Sequence, residues 1–359
     1  MGWCIQHGPY IHYCKRCLPA DARTLTTRFQ HLRASPWELN QDAFGVCGMA
    51  SALYLLLKKP NQAQKLFDAT FAAVLGHKAK FTVANRDYEI PFSYIARRYF
   101  NMLEKKKKEG GQLTAELVDF GMCRALGYLF KVIHPTKYQA EKAAIWAHVA
   151  GGDVPKTRHN ARMEGNLPLR TNALGYILQD ILGMKITCIA YNWLPPFGYE
   201  NPGKLQEKMG DKLSKEEGIY KDFQTVDEFF TIFNRRRARL DTTFSVAGIK
   251  ALTLVTHPEL GASFGDAQIG LEGQYIRPPR PIAGPAVPPA PLQRQQTVTQ
   301  TNREVGDPYD HWVILESASR QQNPNRVHVR LWSWAERFEL RFTDDAFLHA
   351  VHDVIFGEI

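Results

Sequence analysis

A cysteine at the start of an apolar helix, with a glutamine six residues upstream, has the residue types and spacing for thiol chemistry. The segment reads Asn40-Gln41-Asp42-Ala43-Phe44-Gly45-Val46-Cys47-Gly48-Met49-Ala50-Ser51. A helix N-terminus offers unpaired backbone N–H groups and a positive dipole end, which favour thiolate over thiol. Gly45 and Gly48 allow close approach of a substrate backbone. Gln41 can offer its side-chain amide to a developing oxyanion beside the Cys47 N–H. A thiolate nucleophile also needs an imidazole, usually remote in sequence. Among twelve histidines, His311 stands out. It opens the apolar run His311-Trp312-Val313-Ile314-Leu315-Glu316 directly after the turn-like Asp307-Pro308-Tyr309, which places a polar ring at a sheet edge. His134, before a proline at a helix end, and His328, in mid-strand beside charges, are weaker rivals. The bland alternatives are a small apolar core residue for Cys47 and a satisfied structural histidine for His311.

Gln-x5-Cys-Gly at the start of a buried helix, followed far downstream by a His-led apolar strand, resembles the papain-like cysteine proteases. Within that group it resembles the divergent bacterial effector and toxin members. The resemblance implies Cys47 as nucleophile, His311 as general base and Gln41 as oxyanion donor. Two departures stand out. Gly48 replaces the aromatic residue that follows the nucleophile in the family. In the second strand, Val327–Trp334, Trp332 in Trp332-Ser333-Trp334 stands where Asn or Asp orients the imidazole. An indole only donates a hydrogen bond, so it cannot accept one from the imidazole Nδ1–H. Ser333, a nearby carboxylate or a backbone carbonyl could take that place, or the pair could work as a dyad. The implied activity is a cysteine hydrolase cleaving a peptide or amide bond through a thioester. Glutamine deamidation and acyl transfer use the same constellation. A different class, a non-catalytic zinc-containing interaction protein, would leave the pair vestigial. The implied partners are a protein or peptide substrate and an inhibitory protein.

A second cluster lies at the N-terminus. Cys4-x2-His7 and Cys14-x2-Cys17 are two ligand pairs whose spacing lets both side chains of a knuckle turn onto one ion. Four N/S ligands in two pairs suit a tetrahedral structural Zn2+. Such an ion has no open position, so catalysis would need no cofactor. The other reading is an ordinary tail with free or oxidised cysteines.

The elements that must position these residues suggest an α+β, papain-like fold. A helical N-terminal half would carry the nucleophile helix, packed on a C-terminal antiparallel sheet, with insertions. Residues 1–20 form the zinc-knuckle-like segment and 21–359 the catalytic domain. Helices are expected at Gly45–Leu57, Gln62–Gly76, Phe92–Lys107, Thr114–Ile133, Lys137–Ala150, Asn172–Leu182, Val226–Arg239 and Asp344–Phe356. Strands are expected at Lys185–Tyr191, Ile249–Val255, His311–Glu316 and Arg326–Trp332. Asn192–Gly218 reads as an excursion. Residues 277–306 read as a long Pro-rich and polar surface loop.

Composition narrows the function classes. The chain has 359 residues, of which 44% are hydrophobic and 23% charged, as in an ordinary folded protein. No stretch approaches the length of a membrane span. The first residues lack a charged n-region followed by an apolar h-region, so no signal peptide is expected. That points to the cytoplasm or to export by a route that reads no such signal. Six cysteines are too few for a disulfide scaffold and fit a reducing compartment. The net charge of +9 would suit an anionic partner, but no basic stripe with interleaved aromatics points to nucleic acid. No carboxylate–histidine cluster suggests a metal-dependent nuclease.

Overall fold

The computed structural model describes residues 2–4, 8–10, 18–40, 47–95, 114–150, 169, 171–192, 219–236, 242–249, 269–272, 296–301, 311–322, 325–333 and 335–359. The chain divides into two compact units. The first comprises Met1–Leu169, Ala173–Met184 and Ile359; the second comprises Arg170–Asn172 and Lys185–Glu358.

The first unit is mainly helical in its described part. A hairpin of β1 (Gly2–Cys4) and β2 (Gly8–Tyr10) precedes helix α1 (Leu18–Ala34). The next helix, α2 (Cys47–Leu57), carries no charged residue, and all of it is buried. A helix apolar on every side must be surrounded, and within this unit α2 packs against α3 (Pro60–Leu75) and α4 (Thr114–Ile133). Pro60 opens α3, and Gly76 ends it in the left-handed region at φ 76°. The Phe29 ring of α1 stacks on Phe67 of α3 at 4.2 Å. A hairpin of β3 (Phe81–Val83) and β4 (Arg86–Tyr88) turns through Ala84 and Asn85, both at positive φ. Helix α5 (Pro135–Ala150) follows α4.

Farther along, the short helix α6 (Thr171–Tyr176) runs into a π-helical turn (Ile177–Ile181). Gly183, at φ 60°, then redirects the chain into β5 (Lys185–Asn192).

The second unit is built on one nine-stranded sheet, ordered β6-β5-β13-β7-β10-β11-β12-β9-β8. Its other strands are β6 (Tyr220–Phe223), β7 (Thr243–Ile249), β8 (Ile269–Glu272), β9 (Gln296–Thr301), β10 (His311–Gln322), β11 (Asn325–Ser333), β12 (Glu336–Phe342) and β13 (Val351–Glu358). Side chains alternate between faces along each strand. Val313 and Leu315 of β10, Val329 and Leu331 of β11, and Phe338 and Leu340 of β12 share one buried cluster with Phe229 and Phe347. Those two rings come from α7 (Val226–Arg236) and α8 (Asp344–Ala350).

Helix α7 starts with a reciprocal cap. The Glu228 N–H donates to Thr225 Oγ1 at 3.2 Å, while Glu228 Oε2 accepts from the Thr225 N–H at 3.1 Å. The Arg320 side chain of β10 reaches both helices, donating to Asp227 and, at 2.6 Å, to Asp344.

The mixed helix-and-sheet class holds, with helices gathered in the first unit and the large sheet in the second. Several expectations need correction. The sheet is mixed, since β5–β6 and β9–β12 pair in parallel. A strand that was not expected, β7, runs over Thr243–Ile249, and the expected strand Ile249–Val255 lies outside the described residues beyond Ile249. The expected helix Asp344–Phe356 stops at Ala350 and becomes the strand β13. Within the expected loop 277–306, residues 296–301 form β9, whose Thr and Val residues suit a strand. The remainder of that loop, most of the Phe92–Lys107 helix and the 193–218 excursion lie outside the described residues. Among the described residues no helix is long and apolar enough to cross a membrane.

Candidate active site

Cys47 is the first residue of α2, as its flanking glycines suggest, and is 8% exposed. Gly48 is needed for packing in its own right. A Cβ there would come within 2.9 Å of Leu169 Cδ1. Of the other described cysteines, Cys123 and Cys188 are completely buried, and none of the three is in a disulfide. Burial pushes the Cys123 thiol well above its ordinary value, and the Asp119 charge adds to this. Burial also raises Cys188, against the opposing pull of Arg236 and Lys221.

His311 is the first residue of β10, in the second unit. Ile314 faces Trp332 across the antiparallel β10–β11 pair. Continuing that register places Ser333 opposite Val313 and diagonally across from His311, on the same face of the sheet. The two side chains meet, with His311 Nε2 2.6 Å from Ser333 Oγ. Ser333 is 1% exposed and His311 8%. A hydroxyl accepts as well as donates, so Ser333 can take the imidazole N–H that Trp332 cannot. The bonded nitrogen is Nε2 rather than the expected Nδ1.

The two rivals of His311 are engaged elsewhere. His134 lies 3.0 Å from Asp180 in the first unit, with its ring against Tyr176. His328 lies 3.7 Å from Glu339, across β11–β12.

Sequence reasoning missed a third histidine. The register of β13 against β7 shifts between Val351 and Asp353, leaving His352 at a bulge. Its Nδ1 is 2.9 Å from Asp353 Oδ2, which also accepts from Thr171 Oγ1 at 2.5 Å. The His352 ring stands where a side chain at Gly248 would lie; a Cβ there would meet Cε1 at 2.3 Å. Trp312 meets the same ring edge-on, at 6.0 Å between centroids. The adjacent His-Asp pair was visible in the sequence, but the expected helix over 344–356 hid its setting.

Gln41, His7, Cys14 and Cys17 lie outside the described residues, and Cys4 closes β1 opposite Gly8 of β2. Among the described residues no group of three or more His, Cys, Asp or Glu side chains could hold a metal ion. No protein family, curated protein or solved structure matches the chain.

Proposed function

We propose that the chain is a papain-like cysteine hydrolase acting on a peptide or amide bond of a protein or peptide. The carrying observation is the 2.6 Å contact between His311 Nε2 and Ser333 Oγ. The contact orients the ring, and in this reading the Ser333 hydroxyl accepts from Nε2–H, which leaves Nδ1 as the nitrogen that moves protons. In this reading Cys47 Sγ attacks the carbonyl carbon, and Gln41 with the Cys47 N–H holds the oxyanion. His311, having taken the Cys47 thiol proton, delivers it to the leaving amine as the carbonyl carbon–nitrogen bond breaks, giving a thioester. Water hydrolyses the thioester and regenerates the thiol.

Treatment with an epoxysuccinyl peptide should alkylate Cys47 once per chain, as read by peptide mass mapping. Cys123 and Cys188 should remain unmodified, because burial disfavours their thiolates. Modification of either ahead of Cys47, or none at Cys47, would remove the basis for the assignment.

The reading also includes one structural zinc held by Cys4, His7, Cys14 and Cys17. The β1–β2 hairpin suits it. Cys4 pairs with Gly8, so the connection between the strands spans the first x2 pair and His7 adjoins the residue opposite Cys4. Elemental analysis of reduced, chelator-free protein should give about one zinc per chain, and chelation should leave Cys47 alkylation intact. A stoichiometry near zero would make the segment an ordinary tail.

A further inference from the structure

Side chains alternate along β11 and β12, so the residues between the buried Val327, Val329, Leu331, Phe338, Leu340 and Phe342 lie on the sheet's other face. Over β10–β12 that face carries Arg326, Arg330, Arg337 and Arg341 against Glu316 and Glu339, a surplus of two positive charges. Both carboxylates are taken. Arg330 Nε and Nη2 donate to Glu339 Oε1 at 3.2 and 2.8 Å, and Arg337 Nε donates to Glu316 Oε1 at 2.9 Å. These two arginines still reach solvent, with 43% and 36% of their side chains exposed.

The other two arginines have no carboxylate among the described residues. Arg326 Nη1 donates to the carbonyl of its neighbour Asn325 at 3.1 Å. Arg341 stands directly opposite His328 in the β11–β12 register. Arg341 Nε and His328 Nε2 are both buried with no hydrogen-bond partner among the described residues. Glu339 Oε2 lies 3.7 Å from that imidazole nitrogen, beyond hydrogen-bond reach. A guanidinium whose Nε has neither water nor a partner is short of counter-charge. Arg341 as a whole is half-buried, so its terminal nitrogens are what a ligand meets. A charge-assisted hydrogen bond made in such a partly dried setting is a strong one.

Spacing and surroundings select the anion. On β11 Arg326, His328 and Arg330 recur at every second residue, an interval of roughly 6.6–6.8 Å. An extended peptide repeats its side chains at the same interval, so carboxylates on alternate residues fall in step with this row, and the guanidinium fork suits them. Single-stranded nucleic acid is the competing polyanion, and it binds by stacking its bases on exposed aromatic rings. Among the described residues this face offers no such ring. Trp312 and Trp332 are buried, and the exposed positions are Ser319 and Gln321. Phosphates on every nucleotide would also crowd Glu316 and Glu339, which a peptide charged only at alternate residues avoids.

We propose that the face of β10–β12 opposite α7 and α8 is a docking surface for an acidic, extended segment of a partner protein. Arg326, Arg330 and Arg341 receive carboxylates from alternate residues of that segment. The proposal stands apart from the hydrolase reading, since none of these residues takes part in it.

The test is fluorescence anisotropy of the full-length chain with a labelled peptide of alternating Glu and Ser, which should bind saturably. The same peptide with Gln in place of Glu should bind about tenfold more weakly or worse. Arg326→Gln and Arg341→Gln should each weaken binding of the Glu peptide roughly five- to tenfold. Lys65→Gln and Arg86→Gln remove the same charge from exposed positions in the first unit. They should leave binding within about twofold of wild type, because exposed charges far from the ligand are screened. A labelled oligo-dT of matching length should bind less tightly than the Glu peptide.

Absence of saturable binding to the Glu peptide would overturn the proposal. So would equal losses in Lys65→Gln and Arg86→Gln, which would trace the attraction to net charge alone. Tighter binding of oligo-dT, weakened by the same two arginine substitutions, would give the face to nucleic acid and overturn it as well. Arg326→Gln touches a side chain whose printed contact is its own neighbour's carbonyl, so it decides the matter if Arg341→Gln does not fold.

Discussion

Cys47→Ala and His311→Ala should each abolish turnover, lowering kcat by roughly 10⁴–10⁶-fold, and the double variant should be no worse than either alone. The non-additivity is the informative part. A nucleophile without its base, or a base without its nucleophile, leaves only binding and oxyanion stabilisation, which neither change removes. Both side chains are nearly buried, at 8% exposure each, and both truncations remove a partner without adding bulk, so circular dichroism should show an intact fold. Ser333→Ala should be milder. Losing one hydrogen bond to a group that becomes charged costs about 1.5–3 kcal/mol, or roughly 10–100-fold in rate. Ser333→Ala indistinguishable from wild type would reduce the set to a dyad. Full activity in Cys47→Ala, measured on a peptide library, would end the hydrolase reading.

The parts of the site that were legible in the sequence are those whose signals are local. Cys47 opens α2 within an uncharged run, and His311 opens β10 at the head of an apolar run. Thr114–Ile133 shows a helical period and forms a helix with those bounds. Where the structure departs from expectation, the physics is mostly not local. Val351–Glu358 is buried on both faces for most of its length, and such a strand reads as a continuous apolar run that periodicity cannot tell from a helix. Thr243–Ile249 holds a serine and a glycine. Its Gly248 is explained by the ring of His352, which lies 104 residues farther along. The missed strand β12 did carry a signal, since the apolar Phe338, Leu340 and Phe342 alternate with the charged Arg337, Glu339 and Arg341, although Glu339 is itself buried. Arg28 of α1 donates to Asp119 of α4 across 91 residues, and no pattern in either neighbourhood announces it.

Phe229→Ala should destabilise the second unit more than any other single truncation of its aromatic layer. Phe229 is fully buried on α7, and its ring meets four others: Phe223 at 5.5 Å, Phe230 at 5.3 Å, Phe233 at 5.5 Å and Phe347 at 4.9 Å. Phe347 carries the contact on to Phe342 of β12, and Phe233 carries it to Phe356 of β13. Loss of this ring would therefore leave a cavity at the joint between α7, α8 and the sheet. Such rigid surroundings collapse little, which puts the cost at about 3–5 kcal/mol. In a unit of this size that corresponds to a fall in Tm of roughly 10 °C. The face of the sheet that α7 and α8 cover is the one to which His311 and Ser333 belong, since both alternate in phase with Val313 and Leu331. Heating Phe229→Ala should accordingly abolish Cys47-dependent hydrolysis at a lower temperature than in wild type, while kcat well below the transition changes little. A Tm within about 2 °C of wild type would show that the ring cluster is loosely packed and does not anchor that face.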